Sequence, residues 1–490
     1  MKTFAIAIVV FVSSLLVSSE VRAQPPVVEW TKTHHGFGAY SVQQTADHGY
    51  ILTGEIYDAS GHMDMHLIRT NQSGDTLWTS LIGSEPPSEY AGGRSGRECQ
   101  DGSFIAVGYY GLDVYVVKTN SSGVPLWTKM FRGYIPGYIN RSSCVRETID
   151  GGYIISGFSG VWGVGDNALV IKLAQNGDQE FLHLYGGQQY ECANAIIQTP
   201  DSGYLAVGSL RPVSTSEYYD QFWILKMDAA GAQEWLKVYG GPSTDIATAV
   251  CPAGDGGYLV AGYSNSYGAG NFDFYLMKLS SSGDSLWAKT YGSARFERCY
   301  SMTRTGDGNF ILVGTRSGDA FNGKVLAVKV DANGDELWTM EIPDVSAVVT
   351  AGYAVDATED GGCIIAGTMT TNYETYLVKL TPGATAVDED PRNGSRAGYG
   401  LRQNLPNPSW PVTNIQFSIA KRGLTILKLF DVSGQVVATL VNDVKEPGTY
   451  TVRFDGSTLA SGVYFYQLMA GSYVETKKMV LLESGGHRQP

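Results

Sequence analysis

One phrase, written seven times, limits what this 490-residue chain can become. A turn of the kind Asp-x-Gly/Ser-aromatic opens at Asp47 (DHGY), Asp101 (DGSF), Asp150 (DGGY), Asp201 (DSGY), Asp255 (DGGY), Asp307 (DGNF) and Asp360 (DGGC), in steps of 54, 49, 51, 54, 52 and 53 residues. Self-similarity at such a period marks a repeat architecture, in which one unit cannot bury its apolar face alone.

Each copy has the same internal grammar. An alternating run such as YLAVG or YIISG follows the turn, with the period of two of a half-buried strand. A loop of variable length leads to a second run such as FYLMKL or VYVVKT. A Gly-containing turn then enters a strand headed by Trp78, Trp127, Phe181, Trp235, Trp287 or Trp338. With the run before each Asp turn, this makes four hairpin-linked strands per copy, and four-stranded sheets repeated seven times predict a β-propeller. No copy shows apolar residues three to four apart, which excludes a helical solenoid.

The seventh copy stops early, because YLVKLTPGATAVDED has no turn-plus-Trp strand after it. The missing strand stands at the other end, where Val27–Gly36 (VVEWTKTHHG) matches Leu286–Gly292 (LWAKTYG). The N-terminal segment is therefore expected to complete the last blade, leaving no open edge at the seam.

Residues 1–23, with an apolar run over Phe4–Val17 and the exit Val21-Arg22-Ala23, read as a secretory signal peptide. No later stretch approaches the roughly 20 apolar residues of a membrane helix. A net charge of −13 argues against nucleic acid, which needs a basic face. The six cysteines (Cys99, Cys144, Cys192, Cys251, Cys299 and Cys363) form no CxxC pair, and buried free thiols are favoured over bridges.

Two sets of turns repeat their sequence and two sets of loops vary, so a ligand is expected on the variable face. Its aromatic and basic candidates are Tyr90, Arg94, Tyr134, Tyr138, Tyr190, Tyr218, Tyr219, Arg295 and Arg298. The competing reading is that they only cover blade junctions. Glu191, Asp245 and Glu297 each stand ten residues before an Asp turn and offer part of a carboxylate ring at a channel mouth, although a structural acid is favoured over a metal ligand. His62 and His66, ~13 Å apart along a strand, are too far apart to share an ion. A basic residue recurs in every third strand (Arg69, Lys118, Lys172, Lys226, Lys278, Lys329 and Lys379), which points to ion pairing or capping rather than chemistry.

The Gly-x-x-x-Trp spacing, as in Val330–Trp338 (VDANGDELW), resembles the tryptophan-docking motif of quinoprotein-type propellers, in which the Trp packs on the neighbouring blade. The adjacent cysteine pair of the quinoprotein dehydrogenases is missing, so no quinone or other cofactor is implied. The sialidase Asp-box is a near miss, with Gly four residues before Trp rather than three.

Composition changes after Leu380. A linker over 383–400 precedes six or seven short strands, as expected of a small antiparallel sandwich over 401–483, with a tail at 484–490. Leu401–Ala420, Leu427–Val441, Phe454–Leu468 and Thr476–Leu482 resemble the C-terminal sorting domain of the type IX (Por) secretion system. Pro406, Asn407 and Pro408, Gly462, Val463 and Tyr464, and Lys477 and Lys478 follow the family pattern, while Trp410 departs from it. The resemblance implies that type IX machinery is a partner, with export to the surface of a Gram-negative cell or release from it. The repeat unit, 24–382, is then expected to bind an extracellular glycan or protein without catalysis. A secreted glycan hydrolase or lyase using the same face is the alternative. No catalytic residue is assigned.

Overall fold

The computed structural model describes residues 25–58, 61–83, 90–132, 138–161, 165–187, 189–212, 219–317, 323–342, 350–369, 374–382, 400–401, 404, 412–432, 434–471 and 473–481. The segment expected to be a signal peptide, residues 383–399 of the expected linker and the expected tail lie outside them. The described residues are all β, and the chain divides into two compact units, Met1–Thr385 and Ala386–Pro490.

Each copy of the repeat supplies a four-stranded antiparallel array, ordered first to fourth strand. Five arrays are separate sheets. Those of the third and fourth copies are joined by one parallel bridge, Asp166 to Tyr190, so hydrogen bonding alone does not separate seven blades. The last array is completed as expected: Val28–His35 pairs antiparallel with Glu374–Leu380, and Thr381 N–H donates to Val27 O at 3.0 Å. The sheets stay open, but their first strands pack on one another in a cycle. Gly38–Gln44 meets Ala91–Glu98, followed in turn by Ile139–Glu147, Tyr190–Gln198, Asp245–Pro252, Phe296–Arg304 and Thr350–Ala357, which packs back on Gly38–Gln44.

The Asp turn and the recurrent basic residue explain each other. In all seven copies the Asp side chain accepts the N–H two residues on, which fixes the turn. In all seven it also pairs with the basic residue of its own third strand: Arg69–Asp47, Lys118–Asp101 at 3.4 Å, Lys172–Asp150 and Lys226–Asp201 at 2.9 Å, and Lys278–Asp255, Lys329–Asp307 and Lys379–Asp360 at 2.7 Å. Most of these cations are almost fully buried, and a buried ammonium without a partner is strongly destabilising. The pair therefore locks the first hairpin to the third strand in every copy.

Neighbouring copies are joined by aromatic docking. The rings of Trp30, Trp78, Trp127, Phe181, Trp235 and Trp287 lie against Gly74, Gly123, Gly177, Gly231, Gly283 and Gly334 of the next copy, where an added Cβ would meet the ring at 2.6–3.0 Å. These glycines also hold φ of 76–83°, which disfavours any side chain. Trp30 in the N-terminal strand serves the last array, so this docking also spans the seam between the last copy and the first. Two residues after the aromatic, Lys32, Lys129, Lys237 and Lys289 reach Asp75, Asp178, Asp284 and Asp335 of the same turns at 2.7–3.2 Å. Where the turn has Val124 or Ala232 instead, the facing position holds Ser80 or His183. The loss of carboxylates in those turns is thus matched by loss of the lysine.

All six cysteines are unbridged, and four are buried. Burial pushes the Cys299 and Cys363 thiols up to about 12. His62 lies 3.6 Å from Asp58, and burial, with His35 and His34 nearby, lowers His66 to about 4.

In the C-terminal unit, Gly400–Leu401, Val412–Ile419 and Gly448–Asp455 form one sheet. The other runs in the order Val436–Lys445, Gly423–Phe430, Gly462–Ala470, Tyr473–Leu481. Residues of both sheets, including Phe417, Phe454, Leu429, Tyr466 and Met479, share one core, as in a sandwich. Gly400, read as the last linker residue, instead pairs with Ser418. Its strand begins one residue earlier than composition suggests.

Two outcomes follow from these contacts. Gly283→Ala should lower stability by about 2–4 kcal/mol, combining strain at positive φ with overpacking against Trp235, measured by calorimetry or denaturant unfolding. Burial raises the Asp150, Asp201 and Asp307 carboxyls, but hydrogen bonds from Thr148, Thr199 and Thr305 and from the paired lysines outweigh it and bring each to about 2. A carboxyl depressed by folding stabilises above its ordinary value of 3.8, and that contribution is lost as pH falls towards 2. Glu191, Asp273 and Asp356, raised chiefly by burial, act in the opposite sense, and their effect falls above their ordinary values of 4.5 and 3.8, before this decline begins. The denaturation midpoint should fall from pH 4 to 2, and the decline should flatten in an Asp150→Asn, Asp201→Asn, Asp307→Asn triple variant.

Candidate functional site

The site is built by an irregularity common to all seven first strands. In each, the register slips by one residue at the position seven before the Asp turn. Tyr40, Arg94, Ser143, Asn194, Thr248, Tyr300 and Tyr353 are the bulged residues, without a partner in the ladder. A bulge re-aims the side chain it carries. All seven line one central cavity of about 320 Å³, whose wall comes from every first strand.

The sequence signal for the bulge is a glycine seven residues after each Asp turn: Gly54, Gly108, Gly157, Gly208, Gly262, Gly314 and Gly367. Each lies opposite the slip, and a Cβ there would stand 1.7–1.9 Å from a carbonyl oxygen of the first strand. That spacing permits glycine alone.

The ring of bulged residues is uneven. Tyr40, Arg94, Tyr300 and Tyr353 occupy one side, and Ser143, Asn194 and Thr248 the other. Tyr353 lies 5.4 Å from both Tyr40 and Tyr300, ring centre to ring centre. The Arg94 guanidinium sits 4.3 Å over Tyr40, and Arg141 sits 4.2 Å over Tyr109, both within cation–π range. Buried Glu55 holds Arg94 at 3.1 Å and accepts from the Tyr109 hydroxyl at 3.0 Å. Burial pushes Tyr353 up to about 12 and also raises Tyr40 and Tyr300, so these phenols remain hydrogen-bond donors at neutral pH. An adjoining cavity of about 430 Å³ is lined by Tyr40, Arg94, Arg141, Ser142, Ser143, Phe158 and Tyr353. Three residues beyond the bulge, Arg97, Arg146 and Asp356 reach the central cavity.

The residues expected from the sequence divide. Arg94 is at the centre of the site. Exposed Tyr90 joins Arg94, Tyr109 and Arg141 around a further cavity of about 650 Å³. Arg298 is exposed over Phe272 at 4.7 Å, and Arg295 reaches towards Glu341 at 4.0 Å. Tyr219 is exposed, while Tyr138 and Tyr190 are half-buried, Tyr190 within the strand bridge to Asp166. Tyr134, Tyr218, Pro406, Asn407 and Pro408 lie outside the described residues.

Glu191, Asp245 and Glu297 do not line the central cavity; each is buried within its own copy. Asp245 accepts Gly241 N–H and the Ser266 hydroxyl at 2.7 and 2.8 Å, and Glu297 accepts from Ser293 and Arg316 at 2.6 and 2.7 Å. Asp245 and Glu297 thereby tie the loop entering the first strand to the end of the second. Among the described residues, no group of His, Cys, Asp and Glu could hold a metal ion. The sequence reading missed Tyr40, Arg141, Tyr300 and Tyr353, although the repeated glycine marks where a bulge must fall.

In the C-terminal unit, Tyr464 donates to Ala460 O at 2.8 Å, in the segment leading into Gly462 and Val463. Lys477 pairs with Glu475 at 3.0 Å, and Lys478 is exposed. Residues 405–482 match the family model described as the secretion system C-terminal sorting domain. This segment is a type IX sorting domain. The protein that carries this sorting domain is a secreted cargo, directed to the surface of a Bacteroidetes-type cell or released from it. No helix among the described residues is long and apolar enough to cross a membrane.

No curated protein matches the chain. Among solved structures, a Bacteroides caccae protein of unknown function is 12% identical, with a TM-score of 0.38 over 59% of this chain and 93% of its own. A chain from the complex of Drosophila Plexin A with Semaphorin 1b is 7% identical, at 0.44 over 74% and 88%. A putative exo-beta-1,3-galactanase from Bifidobacterium bifidum s17 is 14% identical, at 0.31 over 56% and 97%. Similarities this weak carry no argument about fold or activity.

Gly108→Ala, opposite the Arg94 bulge, should lower the melting temperature by several degrees, because its Cβ would stand 1.7 Å from Gly92 O. Gly187→Ala, with open space around it, should change stability by no more than about 0.5 kcal/mol. Equal melting of the two variants would refute the packing account of the bulge.

Proposed function

We propose that the repeat unit is a non-enzymatic binding module, carried out of the cell by its sorting domain, that receives an extracellular partner at the tyrosine–arginine side of the central cavity. The leader over residues 1–23 would start export, and the sorting domain would engage the type IX machinery. The observation carrying this reading is the bulge ring, in which a rigid cycle of strands aims Tyr40, Arg94, Tyr300 and Tyr353 at one cavity. Tyr and Arg are the residue types that dominate binding hot spots, and a rigid scaffold lowers the ordering cost of association. Among the described residues, the wall of this cavity supplies one carboxylate, Asp356, whereas acid–base hydrolysis of a glycosidic bond uses a pair.

The test is to pass the full chain over immobilised extracellular polysaccharides and proteins while following the same samples for released product. Retention without product is expected, and a Tyr300→Ala, Tyr353→Ala double variant should weaken it about tenfold or more. Product release that survives purification and vanishes on mutating a face carboxylate would replace this reading with an enzyme.

A further inference from the structure

The chain carries a net charge of −13, yet the walls of the two joined cavities are cationic. Four arginines stand there: Arg94 and Arg141 around the 430 Å³ cavity, and Arg97 and Arg146 deeper in the central one. Two carboxylates answer them. Glu55 pairs with Arg94 at 3.1 Å, and Asp356 accepts Gln44 N–H at 3.0 Å without a salt bridge to either deep arginine. Among the described residues, Arg141, Arg97 and Arg146 have no carboxylate within 4.0 Å. Arg146 donates only to Val145 O, at 2.9 Å, and Arg141 only to Asn140 O, at 3.1 Å. Like charges crowd here: Arg146, with burial, brings Arg97 down to about 10, and nearby Asp356 offsets only part of this. Half-buried guanidinium groups without a direct carboxylate partner are an anion site in waiting, because each would gain a charge-assisted hydrogen bond from an acidic ligand.

The rest of the wall indicates which acid. The Tyr353 ring offers a flat apolar face, while the Ser143 hydroxyl and the tyrosine phenols offer donors and acceptors around it. A flat face bordered by hydroxyls and an unpaired guanidinium suits a rigid, hydroxyl-rich ring with one acidic substituent. Extending the binding-module reading, on which this rests, we infer that the site takes a uronic acid residue of an extracellular polysaccharide. Its carboxylate meets Arg141, assisted by Arg94, and its C–H face lies on Tyr353. Arg97 and Arg146 supply the field that draws the acid in.

Calorimetric titration of the full chain tests this with three probes: an oligogalacturonate, the corresponding neutral oligogalactoside, and poly-glutamate. The oligogalacturonate should bind about tenfold or more tightly than the neutral sugar, because it alone gains a charge-assisted hydrogen bond, and should weaken with added salt. Arg141→Ala should erase that preference, Arg141→Lys should retain part of it, and Lys237→Ala, on the turn pair with Asp284, should leave it intact. Equal binding of neutral and acidic sugars would overturn the acid assignment and leave the binding module standing. Preference for poly-glutamate would overturn the sugar assignment, and an Arg141→Ala variant that binds normally would overturn the site. Failure of all three probes would sink this inference, while retention of another polymer or protein in the broader screen would preserve the module.

Discussion

The structure depends on a carbonyl oxygen pressed against a glycine. In each copy the first strand bulges so that its backbone oxygen occupies the space where the second strand would carry a Cβ. The bulge turns one side chain inward, and seven such turns make a central wall. The seven residues so aimed set much of the chemistry of that wall, joined by Arg97, Arg146 and Asp356 three residues further along their strands. The repeat can therefore vary its ligand chemistry at one position per copy without altering the fold.

Around that wall, two kinds of fastening divide the work. Within a copy, the Asp turn and the third-strand cation hold the strands in register. Between copies, an aromatic ring resting on a glycine, often with a lysine–aspartate pair beside it, sets the spacing. Both use mixed apolar and ionic contacts near the surface, where hydrophobic burial alone is incomplete. Around Val124 and Ala232 the Lys and Asp are both absent while the ring–glycine contact is kept.

Much of this was legible in the residues. The fixed period gave away the four-strand unit, the orphaned N-terminal strand completed the last array, and the recurrent basic residue proved to pair with the turn Asp. The site was less legible. A strand alternates its side chains, so a period-two reading places Arg94 and Arg97 on opposite faces. The bulge at Arg94 puts both on the cavity wall, and the glycine on the partner strand announces it. Glu191, Asp245 and Glu297 were visible as a set, but the set marks a loop fastening rather than a converging site. An equal offset from a turn shows that residues are equivalent, which differs from showing that they meet. Tyr40, Tyr300 and Tyr353 are equivalent and do meet, because the bulge brings each to the centre.

The strand that completes the last array bears on how the protein comes to exist. Val27 and Thr381 are hydrogen-bonded although 354 residues separate them. Contacts so remote in sequence form slowly, because a long loop must be ordered before they form. The seam cannot be made until nearly the whole repeat unit is present, so an emerging chain remains open at both ends. A secreted cargo thereby carries a delay in its own topology, with the sorting domain following in sequence after the last strand of the repeat unit.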